Sequence, residues 1–249
     1  MLETLCIVCY PVHMNMGDNA KRADNQQGSP TTEVRSKKLE VGPKIQHPIS
    51  KLQPLLFDPS ETTRRTPYSP RVARAYLQGA FHDGTWNRTN KRTRFSQSNL
   101  GWLYILKVLL GDLGYTSWIY REGKARRVYV LETQANFLHL DFDPTKLKTA
   151  EEKIAYIRGF FDAEGGTPRH SEARFYVQLV QKNYRKLEMI KNLLQGLGIH
   201  VGHLHNPSTS VDPDYWRMFV RTRSLIDFVG TIGTWHPRKA RELRVRMKI

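Results

Sequence analysis

Cysteine is scarce, no long apolar run occurs, and acids are outnumbered: 249 residues hold 2 Cys and 23 Asp+Glu against 39 Lys+Arg. Cys6 and Cys9 form a single Cys-x-x-Cys with His13 beyond it. A structural zinc site needs four ligands, and there is no second pair to complete one. The strand–helix pattern of a thioredoxin-like site is missing as well, so the pair reads as incidental. So low a count suits a reducing, cytoplasmic setting, nucleoid-associated in a prokaryote. Residues 5–10 are too short and too acidic in their flank for a secretory signal, and nothing resembles a membrane anchor. Met14 and Met16 stand as alternative starts. The shortage of acids leaves a formal net charge of +16 and a pI near 10.0. Such a balance implies a polyanionic partner, and nucleic acid is favoured over membrane. A solvated basic surface has the same composition, so charge alone does not decide.

What is present is an acidic motif that ends a helix. Residues 157–165 read Ile-Arg-Gly-Phe-Phe-Asp-Ala-Glu-Gly. Helix-forming and apolar residues run into Asp162 and Glu164 and stop at Gly165 and Gly166. The glycines suit a helix that exits through a left-handed turn. A carboxylate in the last turn faces the negative end of the helix dipole. A positive group is therefore expected opposite it, a divalent cation being the simplest. Residues 75–84, Ala-Tyr-Leu-Gln-Gly-Ala-Phe-His-Asp-Gly, are a degenerate copy. Asp83 before Gly84 matches Glu164 before Gly165. Matching Gly79 to Gly159 instead leaves Asp83 one residue early. The register that pairs the acids is preferred, because a helix end absorbs a residue more easily than a metal site loses a ligand.

A repeat surrounds these motifs. Leu103, Leu106, Leu110, Leu113 and Gly114 recur as Leu187, Ile190, Leu194, Leu197 and Gly198, always 84 positions on (103 to 187, 114 to 198). At that offset Gln97 meets Gln181, and Asn99 meets Asn183. Steps of three, four and three mark one buried helix face. Asn99 and Asn183 suit N-caps, Gly114 and Gly198 C-caps. Two unrelated amphipathic helices would not share an offset across caps and core face together, so the unit is duplicated.

Residues 1–66 read as a tail: 16–48 is rich in Asn, Gln, Ser, Thr, Gly and Lys and has no period, which implies disorder. Residues 52–57 can pack locally. The first repeat spans 67–149 and the second 150–249. Pro70 opens the first helix. A hairpin turns at 87–91 into a strand over 92–97, and a helix occupies 99–114. Strands near 116–120 and 127–133 then join through Gly123, and 134–140 makes a short closing helix. The second copy places its motif helix at 150–164, a hairpin at 167–181, and a helix at 183–198. Strands near 201–205 and 216–222 follow, with a helix at 224–232. The expected class is α+β, with the order αββαββα twice. Along 174–181, Phe175, Val177 and Leu179 face a core, while Arg174, Tyr176 and Gln178 face outward. Arg217, Arg221 and Arg223 share one face opposite Trp216, Met218 and Val220. Arg92 and Arg94 repeat the pattern in the first half. A charged outer sheet face explains any one strand, but all of them together suggest a continuous surface. Arg and Gln suit base edges in a major groove wide enough for a two-stranded ribbon.

The motif and its repeat resemble the LAGLIDADG homing endonucleases of the single-chain, two-motif type. The resemblance covers 67 to the C-terminus. It implies two pseudo-symmetric units, each with an antiparallel sheet, forming a saddle on double-stranded DNA. The motif helices would pack in parallel, with Ala75, Gly79, Ala155 and Gly159 allowing close approach. Asp83 and Glu164 would then meet at the midline and hold Mg2+ (or Mn2+), since hard oxygen ligands with retained waters favour these ions. Gln97 and Gln181 fall where relatives carry a solvent-organising glutamine. Lys148 and Lys239 fall where relatives carry a lysine at the catalytic periphery, although an isolated lysine is more often surface charge. Asp162 reads as a structural helix-end residue, and His82, His170 and His236 have no metal-ligand spacing.

The implied activity is sequence-specific cleavage of double-stranded DNA by a monomer, leaving short 3′ overhangs and serving the spread of a mobile element. The one-residue mismatch at Asp83 favours an alternative: a relative that binds without cutting, as an intron RNA maturase or a DNA-binding regulator. An intein-embedded nuclease is disfavoured, because the chain starts without a nucleophile, ends in Lys248-Ile249, and follows His205-Asn206 with Pro207.

Overall fold

The computed structural model describes residues 68–123, 127–168, 170 and 172–248, with Asp83 described by its backbone alone. The expectations for the 1–66 tail, its Cys6–Cys9 pair and the 52–57 segment lie outside the described residues.

Helix α1 (Pro70–Ala80) begins as its sequence signals require. Ser69 accepts the Val72 N–H, and Pro70 takes the first helical position, where a missing N–H costs nothing. Helix α3 (Ala150–Glu164) opens on a capping box between Thr149 and Glu152. The two touch backbone to backbone. A Cβ on Gly79 would lie 2.0 Å from the Tyr156 carbonyl oxygen, and one on Gly159 would lie 2.1 Å from that of Tyr76. Only glycine permits this approach. Ala75 and Ala155, also expected here, are buried beside them.

Around this pair lie two antiparallel sheets. The first comprises β1 (Gly84–Asn87), β2 (Arg92–Gln97), β3 (Ser117–Arg121) and β4 (Tyr129–Thr133), in the order β1-β2-β4-β3. The second comprises β5 (Gly165–Gly166), β6 (Gln178–Gln181) and β7 (Trp216–Phe219), in the order β5-β6-β7. Helices α2 (Leu100–Asp112) and α4 (Tyr184–Gly196) contribute the repeated apolar face: Leu103, Leu106, Leu110, Leu187, Ile190 and Leu194 all enter one core. Asn99 and Asn183 cap them by accepting the N–H three residues on. Both end in the same double bond, Gly114 N–H to Gly111 O with Tyr115 N–H to Leu110 O, and Gly198 N–H to Gln195 O with Ile199 N–H to Leu194 O. Helices α5 (Leu225–Thr231) and α6 (Pro237–Met247) complete the second repeat. Among the described residues no helix is long and apolar enough to cross a membrane.

The mixed class and antiparallel sheets agree with the sequence reading; several details do not. Residues 134–140 form turns rather than a closing helix, tied down by the buried Gln78 side chain, which accepts the His139 N–H. Residues 174–177 are irregular, and 201–205 contributes only the bridges Val201–Val220 and His205–Arg217. Gly84 and Gly165 are not left-handed: their φ values are −94° and −83°. They are glycines because a Cβ on either would lie 2.0 Å from the ring of Phe81 or Phe161.

Candidate active site and nucleic-acid interface

The conflict of registers at Asp83 has a geometric resolution. Along the helices the glycine register holds, since Gly79 and Gly159 make reciprocal contacts. At the ends the acid register holds, since Gly84 and Gly165 pack on Phe81 and Phe161 and each opens the first strand of its sheet. Three steps separate Phe81 from Gly84, but four separate Phe161 from Gly165. The first motif closes the gap by continuing α1 as a 3-10 turn, Phe81–Asp83, while α3 stays α-helical to Glu164. Three 3-10 steps of ~2.0 Å advance as far as four α steps of ~1.5 Å. The backbone of Asp83 thereby directly precedes its strand, as that of Glu164 does.

Behind these ends, two tyrosines reach across the helix pair in matching positions. The Tyr156 hydroxyl bonds His82 Nε2 at 2.7 Å, and the Tyr76 hydroxyl donates to Asp162 Oδ2 at 2.7 Å. Asp162, 2 % exposed, also accepts the Trp235 N–H at 2.9 Å and the Thr234 hydroxyl. Trp102 Nε1 donates to the Tyr76 hydroxyl, which ties α2 to the same point. Burial pushes the Asp162 carboxyl up, against the pull of Lys239 and of the hydrogen bonds it accepts. Asp162 is thus structural, as its place on the helix suggested.

Lys239 has a different role from the one the resemblance implied. Its ammonium is buried and donates to the carbonyls of Phe161 and Asp162, over the Phe161 ring. It is the positive group expected at the C-terminal end of α3, and it acts on the helix end rather than reaching out to a substrate. Lys148 is displaced altogether. It is exposed beside the N-cap of α3, next to Glu152, which accepts its backbone N–H. A helix of 15 residues, ~22 Å long, separates it from Glu164. It belongs instead to a pocket of about 400 Å³ with Arg71, Arg74, Lys146, Phe137 and Phe142.

Glu164 is half-buried, and Gln181 Nε2 stands 3.5 Å from its Oε1, so the predicted glutamine and acid do come together. Gln97 holds the matching place, at the end of β2 opposite Tyr129, as Gln181 ends β6 opposite Trp216. Among the described residues no three His, Cys, Asp or Glu side chains converge on one point. A pair of carboxylates at two helix ends is nonetheless a sufficient protein contribution for Mg2+, which keeps waters and takes substrate oxygens as its remaining ligands.

On the first sheet Arg92 and Arg94 lie on the outer face, opposite the buried Thr93 and Phe95. On the second, Gln178 lies in β6, and Tyr176 precedes it with its ring edge-on to Phe219. Val177, Leu179 and Met218 are buried as the alternation requires. Arg217 donates to His205 Nε2 at 3.0 Å. Arg174 donates to the Thr222 hydroxyl, and Arg221 is exposed just beyond β7. Arg223 does not continue that face: it sits in a 3-10 turn, Thr222–Ser224, because the strand ends at Phe219.

The model of the LAGLIDADG-like domain family matches residues 71–140 and 151–233, one repeat each. The chain belongs to this family. Among solved structures, the homing endonuclease I-DmoI in complex with DNA and Mn is 22% identical, with a TM-score of 0.50 over 66% of this chain and 98% of that one. Mesophilic variants of I-DmoI give 20% identity and a TM-score of 0.54, over 72% of this chain and 100% of theirs. Full-length DUF199/WhiA from Thermatoga maritima gives 14% and 0.55, over 80% and 66%. At these identities the likeness shows the fold. Among curated proteins no match is found.

As a LAGLIDADG pair, the chain braces its second motif with residues that sequence reasoning missed. Arg158, 4 % exposed, donates to the Ile232 carbonyl and lies over the Trp235 ring. Thr234 and Trp235 carry no spacing signal, and they meet Asp162 only through the fold. Helix α6 lies outside the elements expected from the sequence, although Pro237 after His236 is the same helix-start signal as Pro70.

Proposed function

We propose that this LAGLIDADG chain binds double-stranded DNA across its two sheets and hydrolyses phosphodiesters where its motif helices end. One observation carries the reading: α1 and α3 touch through Gly79 and Gly159, four and five residues before Asp83 and Glu164, and each acid directly precedes the first strand of its own sheet. The charge of +16 supplies attraction to phosphates along the site. The I-DmoI structures contain target DNA with Mn, Mg or Ca, which supports the same partner and ion class here. Glu164 and Asp83 would hold Mg2+ or Mn2+. When bound, such ions make water acidic at neutral pH and offset charge on the phosphate. Gln181, beside Glu164, orients solvent on one side, and Gln97 has the corresponding position on the other. Lys239 keeps the end of α3 tolerant of a carboxylate by offsetting its dipole. The chain supplies both half-sites itself and acts as a monomer.

The test is cleavage of a randomised duplex library with Mg2+, comparing wild type with Glu164→Gln and Asp83→Asn. Double-strand cuts at one recovered site, abolished by either substitution, are expected. Cuts that survive Asp83→Asn would remove that residue from the site. A second reading, binding without cutting, rests on the shortened end of the first motif. Selective binding with no cut in Mg2+ or Mn2+ would decide for it, and selection of intron RNA over duplex DNA would make the chain a maturase.

A further inference from the structure

The outer face of the first sheet is organised around one carboxylate. Glu132 on β4 projects to that face and is still only 6 % exposed, because longer side chains close over it. Arg92 Nη1 lies 3.3 Å from its Oε2, Arg94 Nε 3.2 Å from its Oε1, and the Tyr120 hydroxyl donates to Oε1 at 2.8 Å. Arg94 further bonds Tyr120 and the exposed Glu122, at 3.1 and 3.0 Å. The Arg92 guanidinium lies 4.6 Å from the centre of the Trp118 ring. A nearly buried carboxylate has to be paired and hydrogen-bonded, and here two arginines share the task.

A surface meant only to attract phosphates gains nothing from this. Each carboxylate on it subtracts from the attraction, and a flexible cation serves a phosphate as well as a fixed one. What the arrangement does provide is orientation. A guanidinium has five donors in a rigid plane, so one bond to Glu132 fixes Arg92 and three bonds to Glu132, Tyr120 and Glu122 fix Arg94, leaving Nη2 of Arg92 and Nη1 of Arg94 for a ligand. Arg92 and Arg94 are two residues apart on β2, ~6.7 Å along an extended strand. Bases on one DNA strand are ~3.4 Å apart, so two steps cover the same distance. The fork of arginine matches the O6 and N7 edge of guanine.

We propose that Glu132 is a positioning residue that sets Arg92 and Arg94 as a pair of guanine readers, two base steps apart, in the half-site under the first repeat. The proposal rests on the DNA-binding reading above. Among the described residues nothing equivalent stands on the second sheet, where the Arg217 guanidinium bonds His205 and lies over the Phe219 ring.

The experiment is selection of bound duplexes from a randomised library without divalent metal. It compares wild type, Glu132→Gln, and the double variant Arg92→Lys with Arg94→Lys, which keeps the charge and loses the fork. Wild type should enrich guanine at two positions, two steps apart, in one half-site only. Glu132→Gln should lower that preference about tenfold, with overall affinity unchanged or slightly raised and the other half-site unaffected. The lysine variant should lose the same two positions while its salt dependence stays as in wild type, and it keeps the test open should Glu132→Gln fail to fold. A uniform change at all positions, or a wild-type site without the guanine pair, overturns the proposal. A wild type that enriches no sequence overturns it too, and with it the DNA-binding reading; selective binding without the guanine pair spares that reading.

Discussion

The two motif helices meet at equivalent glycines and end in different ways. Helix α3 runs as an α-helix to Glu164, and its last turn is held from behind by Thr234, Trp235, Tyr76 and Lys239, which converge on Asp162 and the adjoining carbonyls. Helix α1 tightens into a 3-10 turn one residue shorter, and His82, in the place of Asp162, has one bond across the pair, to Tyr156. A duplicated unit has thus kept its helix contact and strand starts while its two ends rest on different chemistry. Height along the axis is restored by the tighter turn; the number of supporting bonds is not.

The largest test of this contrast removes the two supports. Asp162→Ala should cost about 3–5 kcal/mol, because it leaves the Tyr76 and Thr234 hydroxyls and the Trp235 N–H without their buried acceptor. His82→Phe should cost about 1 kcal/mol, the net worth of one hydrogen bond. Denaturant unfolding of both variants measures the difference, and equal losses would mean that the two ends are supported alike.

Where the halves are built alike, the losses should match. Gly79→Ala and Gly159→Ala each push a methyl group onto a backbone carbonyl that cannot retreat without parting the helices. Each should cost about 2–3 kcal/mol, and the cleavage proposed above should fall with both, since the contact lies four and five residues before the two acids. A variant pair that differs widely would show that the helix interface is not two-fold in energy, whatever its geometry.

Acid should weaken both halves. Burial holds His82 and His236 alike down at about 3 from an ordinary 6.5, with Lys186 adding to the effect at His82 and Lys239 and Arg238 at His236. At each site the unfolded chain therefore takes up a proton that the folded chain refuses. Stability present above pH 6.5 is lost as pH falls toward 3, by at most about 1.4 kcal/mol per pH unit for each histidine. Asp162, its carboxyl raised by burial, works in the opposite direction: its contribution is present at low pH and lost as pH rises through its folded value. Unfolding curves of wild type and His236→Phe at pH 7, 6 and 5 separate the two, since the variant should show the shallower decline. An unchanged slope would move the acid sensitivity elsewhere.

How far the sequence could be read depended on distance along the chain. The caps at Asn99 and Asn183 and the apolar faces of α2 and α4 are local, so residue type and spacing show them directly. Asp162 and Lys239 are 77 positions apart, and Arg92 and Glu132 are 40 apart; in each case one partner looked like an ordinary charge until the fold joined them. Lys148 shows the converse: its sequence position between repeats implied the site, but the chain enters α3 at the end far from Glu164. Gly165 was read as a glycine for the right place and the wrong reason, because a steric demand from Phe161 and a left-handed turn leave the same letter.

Gly114 and Gly198 supply the matching control, and the smallest effect. Their φ values are +82° and +77°, and apart from the adjoining residues no atom lies within 4 Å of where a Cβ would stand on either. Alanine there meets no neighbour, so its only cost is the left-handed backbone, about 1 kcal/mol. The cost should be equal in both repeats and leave the proposed cleavage untouched, because the motif is complete within each helix end. Unfolding measurements on the two single variants and the double test this, and the double should equal their sum, since the sites share no partner. A markedly larger loss at one glycine would mean that even the most local of the duplicated features has been recruited into the asymmetry of the two halves.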